Sequence, residues 1–361
     1  MLPYFSKKFG NPSSVAHSYG WLAAAAVKTA REQVAALIHC QVQELIFTSG
    51  ASEAINQALK GVYEIYASKG NHIITCATEH RAVLDTCRSL EDKGARVTCL
   101  SVNKEGLIDL QELRDSISDK TILVCLQMAN NETGVIQPMV EIAEVVHAAG
   151  SIFMSDATQA VGKIPVDVQG LGIDLLCLSA HKFCGPKGAG ALYVRRKNPR
   201  VKLYPLIHGG GQEGGLRSGT LNVPAIVGLG KAAEIAMAEM KSDALRISNL
   251  RELLEQALLF EKEGKADPVV LLNGSPNFRL PGISNLRFAN FTSSELIVKL
   301  QPIAFSAGSA CSSANGEPSH VLLAMGLDSD QARRSVRFGL GKATEKNEIE
   351  MLIERIRLLG D

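Results

Sequence analysis

The chain has 361 residues, 46% hydrophobic and 21% charged, with 38 basic against 37 acidic side chains. That length suits about two domains with a sizeable core, and the composition excludes disorder, collagen and coiled coil. A formal net charge of +1 gives no electrostatic reason to expect nucleic acid or an acidic membrane as partner. No apolar run is long enough for a membrane span, and the opening MLPYFSKKFGNPSS lacks a secretory apolar core. The expected setting is the cytoplasm or an organelle matrix.

In chain order, short apolar runs read as strands at 44–48, 72–76, 96–102, 121–127, 152–156, 175–179 and 191–194. Helical patterns at 51–68, 81–93, 110–118 and 139–149 lie between them. This β-α-β-α rhythm predicts an α/β fold with a mostly parallel sheet sandwiched by helices. From 223 a long helical segment leads to fewer strands, at 269–272, 283–288 and 335–340, and to closing helices. The predicted organisation is a large domain over 1–240 and a small C-terminal α+β domain over 241–361.

Eight cysteines occur without CxxC or Cys/His zinc spacing, so neither a disulfide framework nor a metal site is expected. Cys76, Cys99, Cys125 and Cys177 sit in apolar runs and read as small buried hydrophobes. Cys311 differs, lying in FSAGSACSSANGEPS among small and polar residues, within a loop predicted over 306–318.

In open α/β sheets ligands bind beyond the carboxyl ends of the strands. Five strands here are followed by Ser49–Glu53, Glu79-His80, Asn130–Glu132, Asp156–Gln159 and Ser179–Lys182. The Ser-Gly turn before 51–68 offers a helix N-terminus to an anion, with Ser52 adding a hydroxyl. The pattern GxxxxGK[ST] is absent, and GPKGAG is not GxGxxG, so a phosphate-bearing cofactor suits the site better than a nucleotide. Taken singly, each residue has a plain structural reading: Ser52 as part of an ordinary helix start, His80 and Asp156 as caps, Lys182 as a surface lysine. Each also has a chemical one: Asp156 as the carboxylate on a protonated pyridine nitrogen, His80 as a plate over a ring, Lys182 as an amine nucleophile with Lys187 as its rival. Together they form the protein parts that pyridoxal 5'-phosphate needs.

The ordered blocks FGNPSS, FTSGASEAIN, EHRAVLDTC, ANNETGVIQP, DATQAVGK, SAHKFCGPKGAGALYVRR, HGGGQEGGLRSGT and SAGSACSSANGEPSHVLLAMG resemble those of the class I cysteine desulfurases. These are fold-type I, class-V aminotransferase-like pyridoxal phosphate enzymes. The resemblance implies that Lys182 bonds the cofactor aldehyde, Asp156 pairs with the ring nitrogen, His80 stacks on the ring and Gln159 meets the phenolic oxygen. It further implies phosphate contacts from Ala51, Ser52, Ser179 and His181. Thr220 would reach the phosphate of a neighbouring subunit, hence a homodimer. Asn131 and Arg337 would receive the substrate, the guanidinium gripping its carboxylate in bidentate fashion.

On this resemblance Cys311 accepts sulfur from L-cysteine as a persulfide, alanine leaves, and His80 serves as acid/base. The persulfide then goes to an acceptor or scaffold protein in iron–sulfur cluster or thio-cofactor assembly. Ser52 stands where the family has threonine, and the chain starts just before FGNPSS, where family members carry a further strand and turn. Two alternative readings are a selenocysteine lyase and, from that missing segment, a non-catalytic assembly partner.

Overall fold

The computed structural model describes residues 1–259, 270–307 and 317–359. Their contacts divide into two units, one of residues 1–100, 110–128 and 138–240, the other of 101–109, 129–137 and 241–361. The second unit thus draws two short stretches from the N-terminal half of the sequence.

The first unit holds α1 (Ser18–Leu37), β1 (Leu45–Thr48), α2 (Ala51–Tyr66), β2 (His72–Cys76), α3 (Arg81–Glu91), β3 (Arg96–Leu100), α4 (Leu110–Ser116), β4 (Thr121–Cys125), α5 (Met139–Ala148), β5 (Ile152–Asp156), β6 (Leu175–Ser179) and β7 (Gly190–Val194). The sheet order is β1-β7-β6-β5-β4-β2-β3. Strands β2 to β6 run parallel, while β7 is antiparallel to both β1 and β6. Every residue of β1, β2, β4, β5, β6 and β7 is buried, as expected of a sheet covered on both faces. In this unit β2, β5 and β6 keep the bounds read from the sequence, as does Ile283–Phe288 in the second.

Cys99 departs from expectation. It lies on β3, the edge strand, and is exposed rather than buried, because an edge strand has solvent where its inner neighbours have helices. Cys76, Cys125 and Cys177 are buried as read. Helix α1 is the element the sequence reading lacks. Its buried stripe of Ala23, Val27, Ala30 and Val34 is helical in spacing but made of small residues, so its periodicity is faint.

Helix α6 (Val223–Leu259) crosses the unit boundary at 240/241. The second unit continues with β8 (Val270–Leu272), β9 (Ile283–Phe288), α7 (Ser293–Lys299), α8 (His320–Ala324), α9 (Ser329–Arg333), β10 (Ser335–Gly339) and α10 (Lys346–Leu358). Its antiparallel sheet, in the order β10-β9-β8, packs Leu286, Phe288 and Val336 with Leu250 and Leu254 of α6 and Leu352 of α10. Among the described residues, no helix is long and apolar enough to cross a membrane.

Candidate active site

Strand order brings most of the expected cofactor residues to one edge of the seven-stranded sheet. Gly190 opens β7 and pairs with Thr48, the last residue of β1, and with Ser179, the last of β6. A Cβ at Gly190 would sit 2.6 Å from Gly50 Cα and 2.6 Å from the Leu178 carbonyl oxygen, so only glycine lets the two strand ends close together. Gly50 is the N-cap of α2, and no side chain caps that helix. A Cβ at Gly50 would in turn lie 3.7 Å from Ser179 Oγ. The uncapped start of α2, with Ala51 and the exposed Ser52, therefore adjoins the hydroxyl of Ser179.

Ser179 Oγ is 2.9 Å from His181 Nδ1. Partial burial, then the charges of Lys182, Lys187 and Lys163, hold the His181 pKa below its ordinary value. Uncapped helical N–H groups, a hydroxyl, an imidazole and three cations form a donor set that fits a phosphate. Lys182 is exposed and stands three residues beyond β6, in a 3-10 turn at Ala180–Phe183 that ends in Cys184 with φ 65°. Lys187 is also exposed, in the connection from that turn to β7.

Asp156 closes β5 opposite Cys177 of β6, two residues before Ser179. Its Oδ1 accepts the Thr158 N–H at 2.9 Å and its carbonyl accepts the Met128 N–H at 2.9 Å, which fixes the buried carboxylate at the strand end. Glu79 sits beside it, fully buried, with Oε1 accepting the Gln127 N–H at 2.6 Å. Burial pushes the Glu79 carboxyl well above the usual carboxylate range, and the Asp156 charge adds to the push. Two buried carboxyl groups side by side suit a partner that carries positive charge, such as a protonated ring nitrogen.

His80 follows directly and is half-buried at the N-cap of α3, where Nδ1 accepts the Ala82 N–H at 3.1 Å. Gln159 is half-buried and accepts from Lys163 Nζ at 2.6 Å through Oε1. Thr220 is exposed in the segment before α6.

In the second unit, Arg337 of β10 donates from Nη1 to the Asn131 carbonyl at 2.6 Å and from Nη2 to Ser306 Oγ at 3.1 Å. Asn131 and Arg337, expected to act as a pair, are thus in direct contact. Cys311 lies outside the described residues, as does most of the loop read over 306–318.

Several residues to which the sequence reading gave no role hold these parts in place. Glu53, in the first turn of α2, takes Arg217 Nε at 2.8 Å and the Ser49 N–H at 2.8 Å. Glu213 takes Arg31 Nη2 at 2.5 Å and the Phe47 N–H at 2.8 Å. Both Glu213 and Arg217 stand in HGGGQEGGLRSGT, where charged residues among glycines were the available signal. Glu132, in ANNETG, is a further one.

The family model for class-V aminotransferases matches residues 1–352. The chain is similar to a cysteine desulfurase IscS of Ehrlichia chaffeensis, 49% identical over 365 residues that cover 100% of this chain and 88% of the relative. It is also 49% identical to a human cysteine desulfurase over 355 residues, 98% of this chain and 76% of that one. A solved NifS-like protein superposes with a TM-score of 0.88 at 36% identity, covering 99% of this chain and 94% of its own. The chain belongs to the class-V aminotransferase family and, within it, to the cysteine desulfurases.

Proposed function

We propose that the protein is a pyridoxal phosphate-dependent cysteine desulfurase that converts L-cysteine to L-alanine and transfers the sulfur to Cys311. The observation that carries this reading is the gathering of Asp156, Ser179, His181 and Lys182 at one sheet edge, in a chain about half identical to cysteine desulfurases along its whole length. Pyridoxal phosphate, when bound, supplies an aldehyde and an electron-withdrawing ring.

Lys182 provides the amine for that aldehyde. With the cofactor bound, Asp156 would keep a proton at the ring nitrogen, His80 would stack on the ring, and Gln159 would meet the phenolic oxygen. Ala51 and Ser52 of α2, Ser179 and His181 hold the phosphate, joined by Thr220 of a second subunit. Arg337 and Asn131 receive the substrate carboxylate. The cap bond occupies His80 Nδ1, so proton exchange with the substrate falls to Nε2. Cys311 attacks as the thiolate; from a free pKa near 8.5, making it at pH 7 costs about 2 kcal/mol.

A homodimer follows from the same reading, and the first 22 residues support it. They expose Leu2 (82%), Phe9 (76%) and Val15 (83%) together with Phe5, Tyr19, Trp21 and Leu22, more apolar surface than a monomer normally leaves in water. The persulfide passes to an acceptor or scaffold protein for iron–sulfur cluster or thio-cofactor assembly. The seven described cysteines are all free thiols, which suits a reducing compartment, the cytoplasm or an organelle matrix. The selenocysteine lyase and non-catalytic readings are not favoured, given full-length similarity to cysteine desulfurases and the retained lysine, aspartate and histidine.

The test is mass spectrometry of the holoenzyme after L-cysteine. One added sulfur on Cys311 with stoichiometric alanine is expected; alanine without a modified Cys311, or no alanine, overturns the reading.

A further inference from the structure

The ANNETG turn directs a carboxylate into the second unit. Asn130 Oδ1 accepts the N–H groups of Glu132 and Thr133 at 2.8 and 2.9 Å, and Gly134 closes the turn at φ 77°. Glu132 is left with 0% exposure. Its Oε2 accepts the Ser319 hydroxyl at 2.5 Å, while Oε1 is buried with no hydrogen-bond partner among the described residues. Its carbonyl accepts from Asn285 Nδ2 at 3.2 Å, so the main chain at this point is also held by β9.

Two neighbouring contacts make this acid more than a cap. Asn131, one residue earlier, holds Arg337 through its carbonyl. Arg337 is held on its other side by Ser306, by a side-chain bond and by two backbone bonds, Ser306 N–H to the Arg337 carbonyl at 3.1 Å and Arg337 N–H to the Ser306 carbonyl at 2.7 Å. Ser306 and Ser319 precede and follow Cys311 in sequence by five and eight residues. Hydrogen bonds and one peptide link therefore run Ser306–Arg337–Asn131–Glu132–Ser319, joining the two stems of the cysteine segment through the residues expected to bind the substrate carboxylate.

We propose that Glu132 is a positioning residue for desulfuration: its buried carboxylate, one residue from the Asn131 carbonyl that holds Arg337, electrically balances that guanidinium for the substrate carboxylate and holds Ser319, which follows Cys311 in the chain. The proposal rests on the desulfurase reading above. Burial lowers the Arg337 pKa, and the Glu132 charge opposes that shift, which is the balancing part of the role.

The two parts of the role separate in two variants. In the holoenzyme, Glu132→Gln keeps an acceptor for Ser319 but removes the charge. It is expected to raise KM for L-cysteine about tenfold with a smaller change in kcat, and, in a Cys311→Ala background, to weaken the cofactor absorbance change on cysteine titration by a similar factor. Ser319→Ala is expected to leave that titration within about twofold and to slow persulfide formation on Cys311 about fivefold or more. KM and kcat both within twofold of the parent in Glu132→Gln, or a loss that follows thermal stability without the KM-against-kcat split, overturns the proposal. If Glu132→Gln does not fold, unchanged persulfide formation in Ser319→Ala overturns it alone. The parent enzyme in the same assay keeps the readings distinct, since failure to form alanine there refutes the desulfurase reading and not the role of Glu132 within it.

Discussion

Glu213 sits on the guanidinium of Arg31, with Oε1 2.5 Å from Nη2, while its Oε2 accepts the Phe47 N–H at 2.8 Å. The same guanidinium lies 4.5 Å from the Phe47 ring centroid and donates from Nη1 to the Leu45 carbonyl at 2.5 Å. A single carboxylate thus joins the glycine-rich segment before Thr220 to α1 and to β1, the strand that leads into α2. It does so from a left-handed backbone, φ 51°, that a non-glycine residue adopts only when its contacts compensate.

Removing that carboxylate leaves Arg31 Nη2 and the Phe47 N–H without the acceptor they share. Glu213→Ala is expected to cost about 3–5 kcal/mol in urea unfolding, the range for breaking one side of a buried pair. A double Arg31→Met, Glu213→Ala variant recovers part of it, because no charge is then stranded. Equal losses in the single and double variants would show that packing, not the ion pair, accounts for the cost.

Gly190 tests the closeness of the strand ends. A methyl there would meet backbone on two sides at 2.6 Å, at Gly50 and at Leu178, and neither is a flexible side chain that can swing aside. Gly190→Ala is expected to destabilise the protein by about 2 kcal/mol or more and to weaken cofactor retention, since the strain falls where Ser179 and the start of α2 meet. Thermal unfolding with and without added pyridoxal phosphate checks this. A variant that matches the parent in both would mean that the backbones can separate without harm.

The sheet and its order of chemistry were legible because the strands are continuous apolar runs that stop at polar residues, as at Asp156 and Ser179. Helix α1 was not, since its buried face is made mostly of small residues, alanine, valine and glycine, and Cys99 was misplaced because an edge strand and a central strand share one local pattern. The supporting carboxylates Glu132 and Glu213 were hidden for a different reason. Their partners Ser319 and Arg31 lie 187 and 182 residues away in the chain, a separation that only the fold closes.

Acid sensitivity should appear at the start of α2 through Glu53. Burial raises its pKa, but hydrogen bonds from Arg217 and Ser49 and the Arg217 charge outweigh this, and the net shift is below the ordinary 4.5. A carboxylate depressed in the folded state stabilises fully above its unfolded pKa and loses that contribution as pH falls through the folded one. The stability difference between the parent and Arg217→Gln is therefore expected to be constant from pH 7 to about 5 and to shrink below about 4. Urea unfolding across that range measures it. A difference that stays constant down to about pH 3 would remove Arg217 as the cause.

His181 offers the most direct probe of the anion site, because its titration should move in opposite directions with cations and with phosphate. In the cofactor-free protein partial burial and the charges of Lys182, Lys187 and Lys163 set its pKa below 6.5. The unfolded chain then binds more protons between the folded pKa and 6.5, so stability rises with pH through that window and the contribution is complete above it. Lys187→Gln removes one repelling charge and is expected to move the histidine NMR midpoint upward. Inorganic phosphate, bound between the start of α2 and Ser179, adds negative charge and should move it upward as well, by more than the substitution does. A midpoint that responds to Lys187→Gln but not to phosphate would place the anion away from the Ser179–His181 pair and leave α2 alone as its support.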